Sequence, residues 1–262
     1  MFNLIILKNQ QVNFYLLPLL LLLVSAMFLP ACSLINEGDI KNAPRALKIN
    51  EGFTNPLGFY DAKPNFSWQL VSGNKALAQT KYQIVVASQA ELLPNNADLW
   101  NSGIVTSTQN IFIDYQGKTL SSRQQVYWQV RYWNEQGKVS NWSDAAQLEL
   151  GLLSNNDWTA KWIEIEQKTS VKLNNYKTPI HVPQHLRTEF STDTEANKTI
   201  KKARLYITAK GIFEAFINGQ RIGEDILTPG YTPYKKRIKT LTYDVKAQLQ
   251  SGNNAFGIQL AE

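Results

Sequence analysis

Between Asn65 and Leu150 apolar and polar residues alternate in short runs separated by clusters of Gly, Asn, Pro and Ser. The stretch "PNFSWQL" puts Phe66 and Trp68 on alternate positions, "TKYQIVVAS" does the same with Tyr82, Ile84 and Val86, and "NIFIDY" with Ile111 and Ile113. An extended chain turns successive side chains to opposite faces, so each run predicts a half-buried strand. The longest, "VYWQVRYW", sets Val126, Trp128, Val130 and Tyr132 on one face and Tyr127, Gln129 and Arg131 on the other. Asn134-Glu135-Gln136-Gly137 then predicts a hairpin turn with glycine at a positive φ, and a partner strand after "SNWSD".

The alternation resumes after an irregular connector. "LRTEFST", "KKARLYITAK", "IFEAFING", "QRIGEDI", "IKTLTYDV" and "AFGIQLAE" predict a second set of strands, with a helical turn in "KAQLQSGNN" stopped by Gly252. Phe213, Ala215 and Ile217 alternate with Glu214 and Phe216 up to Asn218-Gly219, the residue pair best suited to a tight type I′ turn. The fold class is therefore all-β, with two β-sandwich domains. About seven short strands in roughly 100 residues around a buried Trp, without a cysteine pair, fit an immunoglobulin-like sandwich. The order "SW … YQIVVAS … YWQVRYWNEQG" resembles a fibronectin type III module. In the connector, Trp158 and Trp162 are read as lying on an extended segment, with a short surface helix as the alternative.

The N-terminus changes the picture. Phe14 to Leu29 is an apolar run of 16 residues interrupted by Pro18, where a spanning helix needs about 20. It reads as a signal segment ending in Leu29-Pro30-Ala31-Cys32, which resembles the lipobox of bacterial lipoproteins. Cys32 is the only cysteine, so it has no partner for an internal disulfide, and it is the candidate lipidation site. The expected organisation is a signal peptide at 1–31, a tether at 32–45, the first sandwich at 46–151, a connector at 152–185 and the second sandwich at 186–262. The expected location is exported and membrane-anchored, periplasmic or cell-surface, with the membrane reached through the lipid.

Across 262 residues, 44% apolar composition with 11% aromatics supplies packed cores, and a net charge of +6 is modest for the length. No nucleic-acid partner is expected: the run Lys235-Lys236-Arg237-Ile238-Lys239 lacks a recognisable nucleic-acid module and reads as a solvated strand end. His181 and His185 have helical metal-pair spacing, but Pro183 breaks that helix, so no metal site is assigned. No phosphate loop, nucleophile elbow or cysteine pair is present. Glu189, Glu214, Asp225 and Asp244 are carboxylates without a readable separation, and solvent-face strand or turn roles suit them. Asp225, Tyr231 and Tyr234 are the candidate sugar-binding residues, since aromatic faces meet sugar C–H faces and an acid meets hydroxyls; turn packing is the alternative.

Taken together, "TNPLGFYDAKPNFSWQL", "LWNSGIVTSTQNIFIDYQG", "VYWQVRYWNEQGKVSNWS", "GLL…DWTAKWI", "KKARLYITAKGIFEAFINGQRIGEDILTPGYTPYKKRI" and "TYDVKAQLQSGNNAFGIQL" resemble the N-terminal region of bacterial α-L-rhamnosidases. The resemblance implies a fibronectin-like module followed by the start of a jelly-roll-like N-terminal sandwich, which stops at Glu262 and is expected to be truncated. It implies inverting hydrolysis of terminal α-L-rhamnosyl residues by carboxylic acids on an (α/α)6 barrel, which this chain lacks; no catalytic residue is therefore assigned. A rhamnose-containing carbohydrate is the implied partner. No cofactor is assigned; the family's calcium, bound by some relatives, has no ligand positions that can be matched here. The alternative is a non-catalytic carbohydrate-binding surface lipoprotein, which the reading frame beyond Glu262 would distinguish.

Overall fold

The structure, a computed structural model, describes residues 2–6, 43–71, 78–166, 170–171, 180–192 and 199–261. Among these every regular element is a strand or a one-turn 3-10 helix, which establishes the all-β class. Cys32 lies outside the described residues. Phe2–Ile6, at the start of the segment read as a signal, is strand β1. The chain divides into two compact units, one of residues 11–150 and one of residues 1–10 with 151–262.

In the first unit the strands are β2 (Arg45–Ile49), β3 (Leu57–Phe59), β4 (Asn65–Gln69), β5 (Gln79–Ala87), β6 (Trp100–Asn101), β7 (Val105–Thr106), β8 (Ile113–Asp114), β9 (Gln125–Asn134) and β10 (Ala146–Leu150). They form a three-stranded sheet ordered β2-β4-β8 and a larger one ordered β3-β10-β9-β5-β6, with β7 also on β5. Among the described residues only the β3–β10 pairing is parallel. The alternation in β9 is realised as read: Val126, Trp128, Val130 and Tyr132 are buried. Phe66 lies on Trp128 with ring centroids 4.5 Å apart, and Trp68 meets Tyr82 edge-on at 5.3 Å. The indole of Trp68 donates to Gln79 Oε1 at 3.0 Å, so a buried amide is satisfied inside the aromatic core. On the outer face, the Arg131 guanidinium sits over the rings of Trp133 and Trp142, 5.0 and 4.6 Å from their centroids. The turn before β10 has Gly137 at φ +74°, as the sequence requires.

One expected strand is shorter than its alternation suggests. Ile113 is buried but Ile111 is 54% exposed, and the strand is only Ile113–Asp114. Phe112 has φ +52°, which reverses the local course of the backbone and cancels the period-two pattern across it. Its amide donates to Ser67 Oγ at 2.9 Å instead of a ladder carbonyl.

The second unit contains β1, β11 (Trp162–Ile163), β12 (Ser170–Val171), β13 (Ile180–His181), β14 (Gln184–Thr192), β15 (Arg204–Ala209), β16 (Ile212–Ile217), β17 (Gln220–Arg221), β18 (Leu241–Asp244) and β19 (Gly252–Ala261). Two four-stranded antiparallel sheets, β11-β1-β15-β18 and β14-β19-β16-β17, enclose a core of Leu205 and Ile207, Phe213 and Ile217, and Phe256 and Ile258; β12 and β13 pair separately. The hairpin at Asn218-Gly219 has φ +51° and +80°, the mirror-image turn that matches strand twist. "QRIGEDI" yields only the two residues of β17, because Gly223 at φ +72° leaves the extended region. The helical turn is the 3-10 segment Lys246–Gln248, ending at Leu249; Gly252 opens β19 rather than stopping a helix. Trp158 caps the 3-10 turn Asn155–Asp157, and Trp162 stands on β11, so extended backbone joins them.

Candidate functional site

The Gly-, Pro- and Tyr-rich loop after β17 is anchored before it is decorated. Phe213 N donates to Thr228 O at 2.8 Å, and the Thr228 hydroxyl returns a hydrogen bond to Phe213 O. The buried Thr232 hydroxyl donates to Arg237 O at 2.9 Å, while the amides of Lys236 and Arg237 both reach Pro233 O. Backbone polar groups that would otherwise lack partners are thereby satisfied, and the Lys235-Lys236-Arg237 run is held as a tight turn rather than a strand end. Tyr234 Oη accepts the amide of Gly211 at 2.9 Å, which fixes its ring against the start of β16. Tyr231 is 86% exposed, its ring 6.0 Å from that of Tyr234.

This turn forms one side of a groove of about 410 Å3 within the second unit. Trp158, Trp162 and Tyr234 supply its aromatic surfaces, and Lys235, Lys236 and Arg237 its basic rim. Thr208 lies beneath them, almost fully buried, its hydroxyl committed to Lys239 O at 2.6 Å. Lys210 holds its ammonium 5.5 Å from the centroid of the Trp162 ring. The three rim cations have no carboxylate partner among the described residues.

The structure separates the candidate sugar-binding residues. Tyr234 lines the groove; Asp225 does not. Asp225 accepts from the Tyr243 phenol at 3.4 Å, and its main-chain carbonyl accepts from Arg221 at 2.5 Å. Burial, then the charge and hydrogen bond of Asp225, push the Tyr243 phenol up to about 12. The other carboxylates are engaged on strand faces: Glu214 with Arg221 at 3.3 Å, Glu189 with Arg187 at 2.7 Å and Asp244 with Arg204 at 2.8 Å. His185 is an exposed residue of β14, and the side chain of His181 lies outside the described residues. Among the described residues no group of histidine, cysteine and carboxylate side chains is arranged to hold a metal.

Trp158, Trp162 and Lys210 were not legible as site residues, because they meet Tyr234 only through the tertiary course of the chain around β15. The sequence carried only a weak signal for them, two tryptophans four residues apart in a connector without a clear strand period.

The two units and their order define a protein class, and sequence comparison agrees. Residues 44–154 match the Rha78A-like N-terminal immunoglobulin domain, and residues 198–262 match the α-L-rhamnosidase N-terminal domain. The chain corresponds to the N-terminal region of α-L-rhamnosidases. It is 50% identical over 235 residues to an α-L-rhamnosidase of Formosa agariphila, covering 90% of this chain and 25% of that protein. An α-L-rhamnosidase of Alteromonas sp. is 43% identical over 241 residues, covering 91% and 25%. Among solved structures, the α-L-rhamnosidase of Dictyoglumus thermophilum superposes with a TM-score of 0.77 at 36% identity, covering 84% of this chain and 25% of that one. That of Aspergillus terreus gives 0.65 at 28% identity, covering 84% and 24%. The chain thus spans about a quarter of the length of these relatives.

Proposed function

We propose that this chain is the non-catalytic N-terminal portion of an exported, lipid-anchored α-L-rhamnosidase that acts on terminal α-L-rhamnosyl residues of glycans. The observation that carries the reading is 50% identity along 90% of the chain to a protein named α-L-rhamnosidase. The division of labour follows from chemistry. Inverting hydrolysis needs an acid and a base about 6.5–9.5 Å apart across a sugar, each free to exchange a proton. Glu189, Glu214 and Asp244 are tied to arginines, and Asp225 to a tyrosine. Because the chain spans about a quarter of the relatives' length, hydrolysis is assigned to the part that it does not span. The aromatic and basic groove favours a second reading, in which the unit contributes carbohydrate binding of its own.

An aryl α-L-rhamnoside offered to this chain should release no aryl alcohol above a heat-treated control; turnover lost on Glu214→Gln or Asp225→Asn would overturn the assignment. The anchor is tested separately. Labelled palmitate should enter the wild type and not Cys32→Ser, and equal labelling would remove the lipid from the proposal.

A further inference from the structure

We propose that the groove of Trp158, Trp162, Tyr234, Lys235, Lys236 and Arg237 binds an anionic saccharide, seating a sugar ring on the aromatic side and a carboxylate or sulfate ester on the basic rim. The saccharide half rests on the reading of the chain as part of a glycan-directed enzyme. The anionic half rests on the groove itself.

The argument begins with the cations. Arg187, Arg204 and Arg221 each face a carboxylate, at 2.7, 2.8 and 3.3 Å. At the groove three consecutive cations come to one rim with no carboxylate among its lining residues. Asp157, next to Trp158 in sequence, accepts the amide of Ser154 at 2.8 Å as part of a capping box. Lys210, over Trp162, adds a fourth positive charge beside the aromatic wall. Like charges gathered without counter-charges repel one another, and a bound anion relieves that repulsion. Carboxylate and sulfate oxygens are acceptors that ammonium and guanidinium groups recognise with charge-assisted hydrogen bonds.

The aromatic wall narrows the choice of anion. Trp158 and Tyr234 are half-buried and Trp162 is 36% exposed, so each keeps ring surface open to the groove while its backbone is held by local structure. Rings positioned before a ligand arrives lose little entropy on binding. A small inorganic anion would use the rim and leave these surfaces wet. A sugar bearing an acidic group uses both, its C–H face on a ring and its charge on the rim. The groove's volume of about 410 Å3 is in the range of small-ligand sites, whereas a nucleic acid needs a longer basic track along its backbone.

The test is calorimetry on the full chain in a polyoxyethylene detergent, which carries no sugar, with four probes: an oligogalacturonate, a sulfated galacto-oligosaccharide, a neutral galacto-oligosaccharide and a short DNA duplex. At least one anionic saccharide should bind about tenfold or more tighter than the neutral one, with affinity falling as salt rises. Comparing the two anionic arms assigns carboxylate or sulfate. Lys236→Gln and Arg237→Gln, both at exposed positions, should each weaken that binding and reduce its salt dependence, and Trp158→Ala should weaken it without changing the salt dependence. Equal binding of neutral and anionic saccharides, binding of neither anionic probe, or DNA binding as tight and indifferent to Trp158→Ala would each overturn the proposal. The aryl rhamnoside assay reads whether this chain is itself catalytic and the palmitate assay reads the anchor; neither reads the groove, so failure of the groove proposal is distinguishable from failure of those assignments.

Discussion

At the scale of single residues, two buried tryptophans that look alike in the sequence differ in what they hold. Truncating Trp68 or Trp128 to Ala should each cost about 3–5 kcal/mol in chemical denaturation, since both are almost wholly enclosed. Substitution by Phe separates them. Among the described residues the Trp128 Nε1 has no hydrogen-bond partner, whereas Trp68→Phe leaves Gln79 Oε1 buried and unpaired, at an added cost of about 1–3 kcal/mol. Trp68→Phe should therefore be the more damaging, and the reverse order in denaturation midpoints would refute the assignment. A second test uses Tyr115, buried beside Asp98 and donating to Lys118 O at 2.8 Å; burial and then the Asp98 charge raise its phenol from 10.0 to about 12. A raised pKa gives stability that is complete below the unfolded value and lost as pH rises through the folded one. The first unit should weaken between about pH 10 and 12, and Tyr115→Phe should flatten that part of the stability profile. The alternation at Phe66, Trp68 and Val126 to Tyr132 was legible because both faces of a strand read directly from a period of two. Ile111 was misread because a positive φ at Phe112 is a tertiary outcome with no glycine to announce it.

At the scale of elements, glycines report which turns are fixed by space and which by torsion. Gly223 has φ +72°, and a Cβ there would overlap the ring of Tyr243; Gly230 has φ +85° with nothing within 4 Å. Gly223→Ala combines torsional strain with a clash, while Gly230→Ala carries strain alone, of about 1–2 kcal/mol. Thermal denaturation should show the larger loss for Gly223→Ala; equal losses would mean that the Tyr243 ring moves aside freely. Most strand positions of the second unit were readable in the sequence, as was the Asn218-Gly219 turn. The short extent of β17 was not, since "QRIGEDI" keeps its alternation after the backbone has turned away. The basic run after Tyr234 likewise reads as a strand end, and the Pro233 carbonyl accepting two successive amides, with the Thr232 hydroxyl donating to Arg237 O, makes it a turn.

At the scale of the molecule, the division into two β units followed from composition and punctuation, but the groove did not, because its two walls lie about 70 residues apart and meet only by folding. One wall depends on an unexpected neighbour. Among the described strands β1 lies inside its sheet, paired along one edge with Leu205–Ala209 of β15 and along the other with Trp162–Ile163 of β11. If residues 1–31 are removed on export, the mature chain loses an interior strand: β15 is left with an open row of amides and carbonyls, and Trp162 with no ladder to hold it. Precursor and mature forms would then differ in the sheet that carries Trp162, and with it in one wall of the groove. Hydrogen–deuterium exchange should be faster at 204–209 in a chain beginning at Cys32 than in the full chain, and a peptide of Phe2–Ile6 added in trans should restore protection. Identical exchange in the two chains would show that another segment takes the vacated lane.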